Sequence, residues 1–472
     1  MSIGSALANA ASGLALSARR AELASGNIAN AMTPDYARRE IAIGSSRTGG
    51  VTAGPARTAI DAAGFARQLS AGSDAASAST TASAMTRAAA LLSAPDGSNG
   101  LPARMTELGN AISQAAADPT DTAGLLAVLE AARSVTGGLR NAADGLQQLR
   151  AEADAAISAS VETINDSLIK IAELNDRIVV ERVAGRSTAS LEQSRREQMI
   201  VLSSQISIES VPRDHGRIAL FTAAGGMLLD GRRTEFAFEG TGMITPSHGL
   251  SDGTLGALVV DGHAIAMTST GLYVGGALEA HFRLRDEILP RIADRLDHVA
   301  ASLVTRLEAA DDTRIAGQGA FISVGGNALD PSWGPGLAGR LSIAVQTDPD
   351  AGGNLITLRT GIGGSGSVLA EMSRQFGDPA ADLAPTGDPA SRDPTGHLAA
   401  VNAALQSKTH SAEQMAAARA AIATETGATH AAAVGVDTDR ELQTLLTIEN
   451  AFAANARVLS IVDTMLRELL EI

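Results

Sequence analysis

The sequence predicts a mainly α-helical protein with smaller β parts, arranged as an elongated helical bundle rather than a compact enzyme. Three observations carry that prediction. First, Leu139, Leu146, Leu149, Ala153, Ile157, Ile164, Leu168, Ile171 and Ile178 form one apolar stripe in a stretch without proline from Pro119 to Pro212. As a helix, residues 139–178 would form a rod about 60 Å long at 1.5 Å per residue, which suits a bundle. Second, each end of the chain carries a long stripe of its own. Third, the period shortens near 209–275, where apolar runs of strand length alternate with Gly and Asp-Gly turns.

At the N-terminus Ile3, Leu7, Ala11, Leu14, Ala18, Ala21, Ser25, Ile28 and Met32 recur at spacings of three and four, one face of a helix about eight turns long. Pro34 stops it, since proline lacks an N–H and disfavours helix at the residue before it. A mainly helical body follows over 41–208. The β-rich insertion at 209–275 contains RIALFTAAGGMLLDGRR and LGALVVDGHAIAM. The helical body resumes over 276–434, with Leu284, Ile288, Ile292, Leu296, Val299 and Leu303 on one face. Within it, residues 311–395 are rich in Gly, Pro and Asp and read as irregular, with strand-like patches at LSIAV and LITLR. A last body helix, roughly 396–426, leads to a break at Gly435, and Asp437 or Thr438 caps the C-terminal helix. In that helix Leu445, Ile448, Phe452, Ala456, Leu459, Val462, Leu466 and Leu469 make the C-terminal stripe. The termini, 1–40 and 435–472, thus form a pair set apart from the body. An apolar stripe at a chain end needs something to bury it. Periodicity alone leaves open whether the two helices satisfy each other, the core, or another molecule.

Composition narrows the function. The 472-residue chain has a net charge of −15 and a pI near 5.0, and no Lys/Arg-rich run, so nucleic acid and anionic membranes are poor partners. No run of about 18 uncharged apolar residues exists to insert in a bilayer. The first residues, MSIGSALANAASGLALSA, lack the basic segment of a secretory signal. Cysteine is absent, which excludes disulfides, thiolate metal sites and Cys nucleophiles. Aromatics are only 2%, and Ala, Gly, Ser and Thr dominate, as in chains that pack helices closely through small side chains.

No constellation points to catalysis. Gly361, Gly363 and Gly366 satisfy G-x-G-x-x-G, and Asp382 stands about twenty residues on, where a dinucleotide fold wants its ribose-binding acid. No second parallel strand follows, and a chain with 48 glycines offers such a match cheaply, so a loop is the better reading. The eight histidines form no ligand spacing. Asp437 and Asp439 imitate the start of a calcium loop without its Gly and closing Glu, and a helix cap explains them better. No metal and no cofactor is expected.

The ends carry something more specific. SGLALSARRAELASGNIANAMTPDYARREI resembles the N-terminal signature of bacterial flagellar axial proteins, an apolar helix running into N-N-I-A-N and then a T-P-G-Y turn before Arg. Asn27, Ile28, Ala29, Asn30, Thr33, Pro34, Tyr36 and Arg38 fit it, whereas Gly26 and Asp35 depart from it. GVDTDRELQTLLTIENAFAANARVLSIVDTMLRELLEI is similar to the C-terminus of the same superfamily, with Val436, Asp437, Asp439, Glu441, Leu442, Ala451, Phe452, Ala454, Asn455, Ala456, Val458 and Leu459 matching. Rod and hook subunits share both ends. SLEQSRREQMIVLSSQISIES, RIALFTAAGGMLLDGRR and GGALEAHFRLRDEILPRIADRLDHVAASLVTRL resemble instead the family of hook-associated protein 1, which joins hook to filament. Region 311–395 is shorter than the outer β domain many members carry.

The resemblance implies a structural protein and not an enzyme. Its N- and C-terminal helices, discontinuous in sequence, would pair as a coiled coil packed between neighbouring subunits. Ile3, Leu7, Leu14, Ile28, Phe452, Leu459, Leu466 and Leu469 are the expected assembly seam. Asn27, Asn30, Pro34 and Tyr36 are expected to fix the handover from the first helix, and Asp437 and Asn455 form the C-terminal motif. The implied partners are further copies in a ring at the junction, the hook protein, the second junction protein (hook-associated protein 3) and a flagellar export chaperone. The implied location is extracellular, reached through the flagellar type III export channel without a cleaved signal. A rod or hook subunit is the alternative within the superfamily. A nucleotide-binding enzyme, resting on Gly361–Gly366, and a cytoplasmic helical scaffold are the remaining readings.

Overall fold

The computed structural model describes residues 3–33, 36–45, 49–59, 61–93, 100–250, 253–265, 267, 271–313, 317–330, 332–361, 368–378 and 393–470. Pro34, Gly363, Gly366, Asp382 and the side chains of Ile3 and Leu469 lie outside the described residues. The chain opens with α1 (Ile3–Ala29) and an antiparallel hairpin, β1 (Arg39–Ser45) and β2 (Val51–Thr58). Long helices follow: α2 (Ala62–Leu92), α3 (Leu101–Ala117), α4 (Thr122–Val183) and α5 (Ala189–Gln205). The β insertion has a four-stranded sheet in the order β3 (Ile208–Pro212), β4 (Ile218–Thr222), β5 (Met227–Asp230) and β6 (Arg232–Arg233). Beside it stands a three-stranded one, β7 (Phe236–Ala237), β8 (Leu258–Val260) and β9 (His263–Ile265). Helix then returns as α6 (Gly276–Arg283), a π turn at Leu284–Ile288, and α7 (Leu289–Ala310). A small ribbon of β10 (Ile322–Val324) and β11 (Leu341–Ile343), short helices α8 (Ile356–Thr360) and α9 (Val368–Gly377), and the long α10 (Pro394–Val434) and α11 (Thr438–Leu470) complete the chain.

Aspartate starts most of the long helices. The carboxylates of Asp61, Asp121 and Asp393 accept hydrogen bonds from the first free backbone N–H groups of α2, α4 and α10, and Asp437 does the same for α11. Each such cap contributes about 1 kcal/mol and also favours the positive end of the helix dipole. The rod read at 139–178 is longer than expected: α4 has 62 residues, about 93 Å at 1.5 Å per residue. It is the spine on which α3, α5, α6 and α7 all pack.

Two apolar cores lie along that spine. The first gathers Leu92, Met105, Leu108, Ile112, Val128, Leu139 and Leu146 with Leu296, Leu303, Leu369, Leu398 and Leu405. The second joins Phe65, Leu69, Ile157, Ile164, Leu168 and Leu202 to the sheets through Leu220, Leu229, Phe236, Leu258 and Phe282. With so few aromatics, arginines fasten the irregular parts to the helices. Arg195 donates to the Asn175 Oδ1 and to the Gly216 carbonyl, each at 2.8 Å, and burial pulls its pKa down to about 10. Arg150 donates to the carbonyls of Arg285, Thr245 and His248.

Several readings need correction. Residues 41–45 and 51–58, expected within a helical body that began at 41, belong to the strands of the β1–β2 hairpin, because that segment is rich in Gly and β-branched residues and docks on α1. LITLR, read as strand-like, is the single helical turn α8. The Asn354 carboxamide accepts from the Ile356 N–H at 3.0 Å and starts that turn, a local bond that outweighs the β propensity of Ile and Thr. The last body helix runs on to Val434. One stretch within Pro394–Glu468 reaches a mean hydropathy of 1.2, long and apolar enough by that measure to cross a membrane, although charged residues interrupt it and leave no uncharged run of about 18. Alanine raises the average there while adding little apolar area, and only 11% of the window is buried.

Candidate assembly site

The terminal helices α1 and α11 pack against each other and run antiparallel: Gly13 meets Asn455, and Arg38, just past the end of α1, meets Glu441 in the first turn of α11. The inward positions recur every seven residues. On α1 they are Ala10, Ser17 and Ala24; on α11 they are Glu441, Ile448, Asn455 and Val462. That spacing is the heptad of a two-helix seam. Small residues make the approach close. A Cβ added to Gly13 would stand 2.6 Å from Asn455 Nδ2, so a larger residue there has to displace the carboxamide.

The hairpin covers a second side of α1. Its tip, at Gly49 and Gly50, lies against Asn9 and Ser12, and the Val51 N–H donates to Ser12 Oγ at 3.2 Å. Its base is held by Asn27, which is 1% exposed. Asn27 Nδ2 donates to the Arg39 carbonyl at 3.0 Å, and its Oδ1 accepts from the Arg39 N–H at 3.0 Å and from the Tyr36 hydroxyl at 3.1 Å. One side chain thereby pairs with β1 as a neighbouring strand would. Burial pushes the Tyr36 phenol up, which keeps it a donor at neutral pH, and the Arg39 guanidinium lies 5.3 Å over its ring. Asn30 bonds instead to its own helix, donating to the Gly26 carbonyl at 2.8 Å.

Arg38 ties this unit to the body. Its N–H donates to the Val434 carbonyl at 2.8 Å, its carbonyl accepts from Ala59, and its guanidinium bridges Glu40 and the buried Glu441, the latter at 2.5 Å. Asp437 caps α11 through the N–H groups of Asp439 and Arg440. The structure therefore brings Asn27 and Tyr36 into one cluster and places Asn455 in the helix seam. Asn30 stays outside the cluster. Sequence reasoning gave no role to Ser12 and none to the Arg38–Glu441 pair. The signal for the pair was an acidic residue standing at the first of four positions spaced by seven.

The residues expected at the assembly seam are not the ones that form this intramolecular contact. Leu7, Phe452 and Leu466 are exposed, and Leu14, Ile28 and Leu459 are half-buried. They share the outer surface of the pair with Met32, Leu442, Leu446, Ile461 and Met465, of which Met32 is 95% and Leu446 61% exposed. The contact within the molecule uses the small face of α1, and the bulkier apolar residues stay uncovered. Among the described residues no group of His, Asp or Glu is arranged to hold a metal.

Residues 85–320 match the family described as flagellar hook-associated protein FlgK helical domain, and residues 430–472 match the C-terminal domain of the flagellar basal body rod FlgEFG proteins. A search of curated proteins gives no match. Among solved structures the chain is similar to the flagellar hook junction protein FlgK from Burkholderia pseudomallei, at 19% identity and a TM-score of 0.46. The alignment covers 55% of this chain and 47% of that one, so the chain spans about half the length of that protein.

Proposed function

The chain belongs to the FlgK family of flagellar hook-associated proteins, and from that premise we propose that it is a structural axial subunit joining the hook to the filament of a bacterial flagellum. The observation that carries this reading is the outer surface of the terminal pair. Leu442, Leu446, Phe452, Ile461 and Met465 on α11 are each at least 44% exposed, and Leu7 on α1 and Met32 just past its end are exposed as well. Scattered exposed apolar residues need no explanation, but Leu7, Leu14 and Ile28 on α1 and Phe452, Leu459 and Leu466 on α11 each repeat at multiples of seven, and such a row along a helix pair marks an interaction surface. Residues 1–40 and 435–472, with the hairpin, act as the assembly unit, and the outward residues Leu14, Ile28, Leu459 and Leu466 are buried between neighbouring copies in a ring. The hook protein, hook-associated protein 3 and an export chaperone are the further partners, and the assembled protein is extracellular. Nothing in this role calls for catalysis.

One observation favours a second reading. The C-terminal match is to rod proteins, so a rod or hook subunit would carry the same end; the helical-domain match over 85–320 favours the junction. Electron microscopy of the source bacterium with this gene deleted separates them. Bare hooks, with flagellin shed into the medium, are expected; missing hooks would move the protein into the rod or hook. In a complemented strain Leu459→Glu is expected to abolish incorporation while the purified protein keeps the wild-type melting of its body. Normal incorporation would overturn the seam assignment.

A further inference from the structure

The plane where the two cores of the body meet is polar. Along α4, Ala153 closes the first core and Ile157 opens the second, with buried Asp154 between them. Along the α6–α7 rod, Phe282 belongs to the second core and Leu284 to the first, and fully buried Arg285 follows at once. Along α2 the same crossing falls between Leu69 and Met85, and residues 74–81, DAASASTT, include no buried side chain. On α10 none is buried between Thr409 and Val434.

Space accompanies the polarity. A cavity of about 450 Å³ lies between α2 and α4, lined by Ser79, Ser83, Leu149, Ala156 and His281 among others. A second, of about 260 Å³, lies on the α10 side of the same segment, lined by Ser77, Thr81, Met415 and Arg419. Exposed ion pairs cross this side, Arg87 with Glu152 and Arg419 with Asp74, whereas the opposite side is held by a buried one. Arg285 donates to Asp154 Oδ1 at 2.6 Å, to Asp286 Oδ1 at 2.6 Å and Oδ2 at 3.0 Å, and to the Gly256 carbonyl at 2.9 Å. Its guanidinium also packs 5.0 and 5.5 Å from the ring centres of Phe282 and Phe238. The π turn at Leu284–Ile288, the one irregular turn of the α6–α7 rod, carries this residue.

We propose that this waist is a flexure: the two cores tilt about the Arg285–Asp154 pair while the α2–α10 side opens and closes. Interdigitated apolar side chains resist tilt because parting them exposes apolar area and leaves voids. Between α2, α4 and α10 at this level there are few such side chains to part. The guanidinium fork, held at Nε and both Nη atoms, supplies a fixed pivot, and the continuous helices α2 and α4 supply restoring stiffness. The inference concerns the body alone and does not rest on the junction reading.

Because the chain contains no cysteine, introduced cysteines are the sole spin-label sites. Distance distributions from pulsed electron paramagnetic resonance on the full chain would compare two pairs. Thr106→Cys with Ser194→Cys spans the waist, from α3 to α5, and Thr106→Cys with Ser407→Cys lies within the first core. The spanning pair is expected to give a distribution about twice as wide as the other. Filling the larger cavity with Ser79→Leu and Ser83→Leu is expected to narrow it. Arg285→Lys, which keeps the charge but loses the fork, is expected to widen it. Equal widths in the parent chain would overturn the proposal, as would a spanning distribution that the filled variant leaves wide. A width indifferent to Arg285→Lys would overturn the pivot. A melting curve on each variant confirms that the folded body is what was measured.

Discussion

Replacing Asn27 with alanine is expected to release the β1–β2 hairpin from α1 while the body stays intact. The substitution removes three hydrogen bonds: the pair with the Arg39 backbone, both at 3.0 Å, and the one from the Tyr36 hydroxyl at 3.1 Å. At a net contribution of about 1 kcal/mol each the loss is about 3 kcal/mol. Arg39 is half-exposed, so water restores part of this, leaving about 2 kcal/mol. A hairpin of two strands is barely stable without a surface beneath it, so the loss acts locally. Amide hydrogen exchange read over residues 39–58 is the assay, with α2 as internal reference. A drop in protection of about 30-fold corresponds to 2 kcal/mol at 1.4 kcal/mol per tenfold. Asn27→Asp separates hydrogen bonding from lost packing: it keeps the volume but sets an acceptor against the Arg39 carbonyl, and is expected to be at least as damaging. Protection in 39–58 unchanged within about twofold for both variants would refute the latch.

Further substitutions test other parts of the molecule. Gly13→Val is expected to part α1 from α11 at a cost of about 1–3 kcal/mol, seen as faster exchange along 438–470. Gly26→Ala, on the same helix with nothing within 4 Å of the new methyl, is expected to gain about 0.5–1 kcal/mol. Glu441→Gln removes the buried partner of Arg38, and a double-mutant cycle with Arg38→Met is expected to return a coupling of about 1–3 kcal/mol; additive effects would show the pair to be idle. Burial lowers the pKa of His281, so the unfolded chain takes up a proton that the folded one refuses. Stability is therefore expected to hold above the ordinary imidazole value of about 6.5 and to decline as pH falls below it. Denaturant titrations of His281→Gln should lack that decline over the same range.

Which parts of this were legible depends on whether the signal was local. The rod at 139–178 showed itself because a helix buried on one face must repeat its apolar residues, and Leu139, Ile157 and Ile171 are fully buried. The caps at Asp61, Asp121, Asp393 and Asp437 are equally local, although only the last was singled out. The hairpin at 39–58 stayed hidden because its stability comes from Asn27 and Ser12 on a distant part of the chain, not from its own pattern. Arg285 and Asp154 are separated by more than a hundred residues, and each reads in isolation as an exposed charge on a helix. Their burial follows from the π turn and the loop that ends at Gly256, neither of which has a period.

The terminal helices show a different limit, one that bears on what the protein does. A hydropathy stripe states which face of a helix avoids water, not what covers it. For α4 the two questions have one answer, since the covering elements belong to the same molecule. For α1 they part. The intramolecular seam is built from Ala10, Gly13, Ser17 and Ala24 against Glu441, Ile448, Asn455 and Val462; the α1 side gives close approach and register but little apolar area, and only Ile448 and Val462 bury aliphatic side chains. A chain selected only to fold as a monomer would turn its bulkier face inward, because burying a Leu or Met side chain contributes about 1.5–3 kcal/mol and an Ala much less. Leu7, Leu446, Ile461 and Met465 instead face out, joined by a helix pair that is only modestly held. That inversion makes sense if the stripe is stored for contacts between molecules and the small-residue seam serves to set the pair in register beforehand. It also orders the substitutions: Leu459→Glu should act on assembly and leave the monomer's melting nearly untouched, while Gly13→Val should disturb the monomer first. The reverse pattern would mean that the stripe, not the seam, holds the termini together, and that the arrangement of α1 on α11 is the wrong way round.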